Sequence, residues 1–215
     1  MKQLAILGAS GHGKVVAEAA LASGWAGVDF YDDAWPDKRR IGKWVVSGDT
    51  AALLKALSRF DGVVVAIGGN AIRMDKIALL QKAGGRLATI VHPAAMISPS
   101  ALLGEGTVVM AGVVVNADTT VGVGAILNTS CSVDHDCVLG DGVHVSPGAH
   151  LAGDVRVGEL SWVGIGASVR QGMTIGRAAL VGAGAVVVDN IANDLTVVGV
   201  PAKRILNGSE SSKSV

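Results

Sequence analysis

Three of the chain's five histidines fall in one run, VDHDCVLGDGVHVSPGAHLAG, at positions 135, 144 and 150. His135 stands between Asp134 and Asp136. Neighbouring carboxylates favour the protonated imidazole and raise its basicity, so a histidine placed this way suits a general base. Three histidines also raise the question of zinc, which needs ligands at about 2.0 Å. His144 and His150 are six residues apart, a spacing that turns them onto different faces of the repeat described next. One subunit therefore offers no obvious trio, and a zinc hydratase site would have to be built across a subunit interface. The remaining polar candidates lie earlier. GASGHG (Gly8 to Gly13) sits between an apolar run and a helical pattern, where exposed amides favour a phosphate. Its glycines depart from G-x-G-x-x-G, which argues against a dinucleotide fingerprint. Asp32 and Asp33 end a second apolar run. Carboxylates there either take nucleotide hydroxyls or a base edge, or open a turn. Gly68, Gly69 and Asn70 end a third run at the same edge, with Arg73 on the first turn of the next helix.

The elements that must position these residues are of two kinds. From Ile97 to Val187, every sixth residue is Val, Ile or Leu, sixteen positions without an insertion. Gly104, Gly122, Gly140, Gly158 and Gly176 each follow one of them, eighteen apart. The residue two places before each aliphatic is often small, as at Ala125, Cys131, Ala149, Ser161 and Ala167. A helix would recur near 3.6 instead. Six residues make a short strand and a corner, three such units close a triangular coil, and coils stack in parallel register. The aliphatics stack inward, the small residues fit the narrowing corners, and the glycines are expected to supply a backbone conformation that other residues resist. About five coils at a strand spacing of ~4.8 Å give a prism roughly 24 Å tall.

Before the prism, residues 1–92 alternate strand and helix: a strand over 3–8, a helix from Lys14 with Val15, Val16, Ala19 and Ala20 on one face, a strand ending at Asp32, and a short strand around Trp44 to Val46. Helix over 50–59, a strand ending at Gly68 and helix over 71–83 complete the set. About ninety residues suit a half-Rossmann α/β domain that holds a mononucleotide group. Pro93 marks the expected boundary. The prism and an irregular cap or last strand occupy 93–206, and the polar 207–215 is expected to be disordered.

The chain has 215 residues, with four Trp, two Phe and one Tyr. A thin prism filled by Val, Leu and Ala needs few large rings. Lys plus Arg and Asp plus Glu are each 18, a balance that argues against nucleic acid or an anionic membrane as partner. No apolar run reaches the ~18 residues of a spanning helix. The apolar run after Lys2 ends in glycines without a signal-type cleavage region. Cys131 and Cys137, both on the small inward position, read as packed thiols of a reducing cytoplasm.

GASGHGKVVAE, Asp32-Asp33, AIGGNAIR, HPAAMISPSA, NTSCSVDHDC, HVSPGAHLAG and VGVPAKRI occur in one order and at one spacing. Together they closely resemble the PglD/NeuD-type sugar acyltransferases, which include nucleotide-amino-sugar N-acetyltransferases. The resemblance covers nearly the whole chain to about residue 206. It implies a left-handed parallel β-helix, an exception to the usual crossover hand, and a homotrimer with active sites between subunits. It implies acetyl-CoA as co-substrate and no metal. By the same resemblance Ser10, Gly11 and His12 would hold phosphate or sugar, and Asp32 and Asp33 the base or ribose. Gly68, Gly69, Asn70 and Arg73 would flank the sugar nucleotide. His135 would be the general base, strengthened by Asp136. His144 would contact acetyl-CoA at the thioester, Ile165 and Ala183 the pantetheine arm, and Pro201, Lys203 and Arg204 the adenosine end. The activity implied first is N-acetylation of the 4-amino group of a UDP-linked 4-amino-4,6-dideoxy sugar. Acetylation of a sugar hydroxyl of sialic acid type, or of a GDP-linked amino sugar, is the alternative. A non-catalytic nucleotide-sugar-binding scaffold stands last.

Overall fold

The computed structural model describes residues 1–205, so the expected disordered tail at 207–215 lies outside the described residues. The first part is a three-layer α/β unit. Strands β1 (Gln3–Leu7), β2 (Gly27–Tyr31) and β5 (Gly62–Val65) form a parallel sheet in the order β2-β1-β5. Near-continuous burial of β1 and β5 explains their unbroken apolar sequence, as a sheet covered on both faces requires. Between β2 and β5 the chain makes a two-stranded hairpin, β3 (Arg40–Ile41) with β4 (Trp44–Val45), and helix α2 (Thr50–Ala56).

Helix α1 (Gly11–Ala22) packs through Gly13, Val16, Ala17, Ala19 and Ala20. Val15, expected on that face, points outward and is 44% exposed. The helix begins at Gly11 rather than Lys14, and its buried stripe runs through Gly13, Val16, Ala17 and Ala20 at i, i+3, i+4 and i+7, which leaves Val15 outside. Helix α3 (Asn70–Lys82) buries Asn70, Arg73, Ile77 and Leu80, so polar side chains occupy part of its inner face.

The second part is a left-handed parallel β-helix of two-residue strands on three faces. Register steps by eighteen from Ile90 to Val187, as in Val115 opposite Val133 and Leu139 opposite Val157. The inward aliphatics from Val109 to Val187 are almost all fully buried, with Ala125, Cys131, Cys137, Ala149, Ser161 and Ala167 beside them in the corners. The prism is taller than expected at both ends. Strand β6 (Ile90–Val91) pairs in parallel with Val108–Val109, so the first rung precedes Pro93. Val91 is itself six residues before Ile97. At the far end, Ile191 bridges Ile175 and Thr196 pairs with Leu180, sixteen residues apart instead of eighteen. Losing two residues shortens the last coil without ending it. An antiparallel strand at Lys203–Arg204 then closes that face.

The glycines eighteen apart have a different cause from the one expected. None of the five has positive φ. They are sites of close approach between coils: a Cβ on Gly140 would lie 2.6 Å from the Glu159 amide nitrogen, and one on Gly122 would lie 2.6 Å from that of Asp141. The left-handed conformation belongs to a separate column three residues after each aliphatic. That column includes Gly124, Gly142 and Gly166, and also Asp118, Asp136 and Asp154. Asp tolerates this region better than most side chains.

Candidate active site

The carboxyl ends of β1, β2 and β5 open onto a cleft of about 310 Å³ whose walls include Ser10, Asp32, Asp33, Gly68, Ile72 and Lys76. Ser10 caps α1, its Oγ accepting from the Gly13 amide at 3.5 Å. A Cβ on Gly11 or Gly68 would meet nothing within 4 Å, so backbone on both sides of the cleft is approachable. Asp32 accepts from the Ala9 amide at 2.7 Å and the Ala34 amide at 2.9 Å, tying the glycine turn to the end of β2. Asp33 accepts from the Thr50 amide at 2.9 Å and pairs with Lys76 Nζ at 2.6 Å. Burial raises the Asp33 pKa, but the hydrogen bonds from Lys76 and Thr50 outweigh it and bring it down to about 2. Both acids line the cleft and also hold its shape. Lys76 is the cation that the sequence reading missed. Its signal was its place nearly one turn after Arg73 on the same helix.

Arg73 and Asn70 differ from the role expected of them. Arg73 is 1% exposed. Its Nε donates to Gly124 O (2.7 Å), Nη1 to Ile67 O (2.9 Å) and Gly68 O (3.1 Å), and Nη2 to Asn70 Oδ1 (2.9 Å) and Gly142 O (2.7 Å). All five guanidinium donors are thus committed. Asn70 Nδ2 donates to Leu160 O (2.9 Å) and Ser161 O (3.2 Å). The pair is a clamp between the two parts of the chain and has no donor left for a sugar nucleotide.

His12 and His144 enter the same junction. His144 is 6% exposed and stacks on Trp162, with ring centroids 4.5 Å apart and planes inclined by 24°. Its Nε2 lies 3.3 Å from Asn128 Nδ2. Burial, with Arg73 and His12 adding repulsion, lowers its pKa to about 3. Burial and Arg73 lower that of His12 to about 4. Both rings are therefore neutral at pH 7. His12 Nε2 and His144 Nδ1 are buried without a hydrogen-bond partner in the structure. His144, expected to contact acetyl-CoA, thus stands buried at the junction, close to His12 and Arg73 of the N-terminal part.

His135 is at an open corner. Its Nδ1 lies 2.7 Å from Asp136 Oδ2, and its side chain is 60% exposed. An ionised carboxylate only accepts, so Nδ1 carries the hydrogen and Nε2 presents its lone pair outward. The Asp136 hydrogen bond, together with nearby Asp134 and Asp154, raises the His135 pKa above the ordinary value. Only one flanking acid touches the ring. Asp134 instead accepts from the His135 amide at 2.9 Å and from Asn116 Nδ2 at 2.8 Å. Asp136 reaches the ring from a left-handed backbone, φ 60°. His150 pairs with Ser132 Oγ at 2.8 Å on the adjoining face, away from His144 as the spacing predicts. Among the described residues no group of three His, Cys, Asp or Glu could hold a metal ion.

The residues expected to hold acetyl-CoA line a different edge. Ile165 is 61% exposed, Ala183 is exposed one coil above it, and Ile165 O accepts from Gly184 N at 2.7 Å. Pro201 and Lys203 are exposed in the closing turn, with Lys203 Nζ 3.5 Å from Asp189. His135 follows the face that contains Val133, whereas Ile165 and Ala183 follow the face that contains Val163 and Val181. One chain does not bring the two edges together. Both cysteines are buried thiols, and burial raises Cys131 to about 12. No helix among the described residues is long and apolar enough to cross a membrane.

The family described as PglD N-terminal domain matches residues 3–78. UDP-N-acetylbacillosamine N-acetyltransferase of Bacillus subtilis (strain 168) is 37% identical over 113 residues, which is 52% of this chain and 52% of that protein. The match thus spans about half the length of that curated relative. The solved acetyltransferase domain of PglB from Neisseria gonorrhoeae FA1090 is 43% identical with a TM-score of 0.90, covering 95% of this chain and 100% of that one. The same domain in complex with acetyl coenzyme A is 45% identical, with a TM-score of 0.91 and coverage of 95% and 99%. PerB from Caulobacter crescentus, solved with CoA and GDP-perosamine, is 42% identical, with a TM-score of 0.90 and coverage of 96% and 98%. From motif order, paired architecture and near-full-length likeness alike, the chain belongs to the PglD-type sugar acetyltransferases.

Proposed function

We propose that this acyltransferase moves an acetyl group from acetyl-CoA to the 4-amino group of a UDP-linked 4-amino-4,6-dideoxy sugar, with His135 as general base. The observation that carries the reading is the 2.7 Å contact from Asp136 to His135 Nδ1, which leaves Nε2 exposed and basic. As the amine nitrogen attacks the thioester carbon, Nε2 takes its proton. The C–N bond forms, the C–S bond breaks, and CoA departs as its thiol with a proton returned from His135. No covalent enzyme intermediate is required. Placement of the two substrates supplies much of the rate, and the base about 10²–10⁴-fold.

The cleft beside Ser10, Gly11, Asp32, Asp33, Gly68 and Lys76 is the site proposed for the nucleotide, and His12 points from it toward the junction. Gly69 caps α3 at the same edge. The exposed edge at Ile165 and Ala183, with Pro201 and Lys203 above, is the one proposed for CoA. Because His135 lies on another edge, the reading requires a neighbouring subunit, and a homotrimer is the assembly proposed. Sedimentation of an active monomer would refute this. The cytoplasm is the proposed location.

A GDP-linked amino sugar is the second reading, favoured by the C. crescentus relative solved with GDP-perosamine. A panel of UDP- and GDP-linked 4-amino sugars, assayed for acetyl-CoA-dependent thiol release, decides between them. Thiol release with neither nucleotide class would overturn both readings.

A further inference from the structure

We infer that Gly153 is a positioning residue for the His135 imidazole, an inference that rests on the reading of His135 as the base. Gly153 lies one coil beyond His135 at the same corner and is buried. A Cβ built there would sit 2.5 Å from His135 Cε1, 2.6 Å from Nε2 and 3.1 Å from Nδ1, and these are its three nearest atoms. The nitrogen-bearing edge of the ring therefore occupies the space that a side chain at 153 would fill, with the bare glycine as its floor. The other wall is Asp136, 2.7 Å from Nδ1. The backbone joins the two, since the Asp154 amide donates to His135 O at 2.9 Å.

Gly153 differs from the column Gly104 to Gly176, where an added Cβ would strike backbone of the next coil. At 153 the three nearest atoms all belong to an exposed side chain that can rotate away. The prism tolerates the methyl group and the imidazole does not. Swung off its floor, the ring loses the Asp136 contact, and Nε2 no longer points where the floor and Asp136 hold it. The absence of a side chain at 153 thus sets the direction of the base without touching substrate.

The test is a double-mutant cycle on the full chain, with the titration of His135 followed by NMR. Gly153→Ala should lower kcat at least ~10-fold, keep KM for both substrates within about twofold, and move the His135 titration down toward ~6.5. In a His135→Ala background the same substitution should cost no more than about twofold. A kcat within twofold of wild type, an unmoved titration, or an equal loss in the His135→Ala background would overturn the inference. Should Gly153→Ala alone not fold, Gly153→Ala/His135→Ala must still melt with His135→Ala. A drop of more than ~5 °C would place the clash on the backbone and overturn it too. If His135→Ala itself retains full turnover, the reading of the base has failed, a result separate from any of these.

Discussion

Replacing Arg73 by Met keeps most of the side chain's length and apolar stem but removes all five hydrogen bonds of the clamp. Three of their acceptors belong to the N-terminal part, Ile67 O, Gly68 O and Asn70 Oδ1. Two belong to the prism, Gly124 O and Gly142 O. Bonds to a charged donor contribute about 1.5–3 kcal/mol each. Against them stands the desolvation of a guanidinium whose pKa burial lowers to about 10, worth about 3 kcal/mol at 1.36 kcal/mol per pKa unit. The acceptors left behind are neutral and water can reach some of them, so at about 1–3 kcal/mol for each that stays buried and unpaired the net loss is about 3–5 kcal/mol. The loss falls on the junction, so the two parts should also uncouple. Trp25, Trp35 and Trp44 report on the N-terminal part and Trp162 on the prism. Urea unfolding of Arg73→Met, followed by fluorescence of the whole chain and of a chain with only Trp162, should show the N-terminal part melting first. A single transition displaced by less than about 1 kcal/mol would refute the clamp.

Asp136→Asn keeps an acceptor near Nδ1 but removes the charge. His135 then titrates lower, so the acidic limb of the kcat/KM profile moves to lower pH while the plateau falls about 10-fold because the base is weaker; an unmoved limb would contradict the pairing. His12 and His144 have folded pKa values depressed to about 4 and 3 against 6.5 unfolded. The unfolded chain binds the extra protons, so their contribution to stability is complete above pH 6.5 and is lost as pH falls toward 4 and 3. From pH 7 to 5 the loss should be on the order of 2–4 kcal/mol. His144→Gln should remove about half of that dependence, and an unchanged pH profile in that variant would show that the buried ring is not its source.

The prism was readable because its period is a property of residue type: an inward position every sixth residue admits only Val, Ile or Leu. Its ends were harder, since Val91 continues the period across Pro93 and the last coil omits two residues. The glycine column was visible, but its cause was not. Close approach and positive φ both demand glycine, and only the folded backbone separates them. The clamp was misread for a related reason. A polar pair at a glycine turn beside a cleft has the composition of a ligand site, and nothing in the residue types says that the donors turn inward to the prism. His135 was legible because both its neighbours are acids, although only Asp136 reaches the ring. Gly153 left no signal, since its role is the space above it.

The proposed reaction turns on the imidazole at position 135. His135→Ala should lower kcat at least ~100-fold with an accepted amino sugar, while acetyl-CoA and the nucleotide sugar bind with unchanged affinity. Turnover within a few-fold of wild type would contradict it.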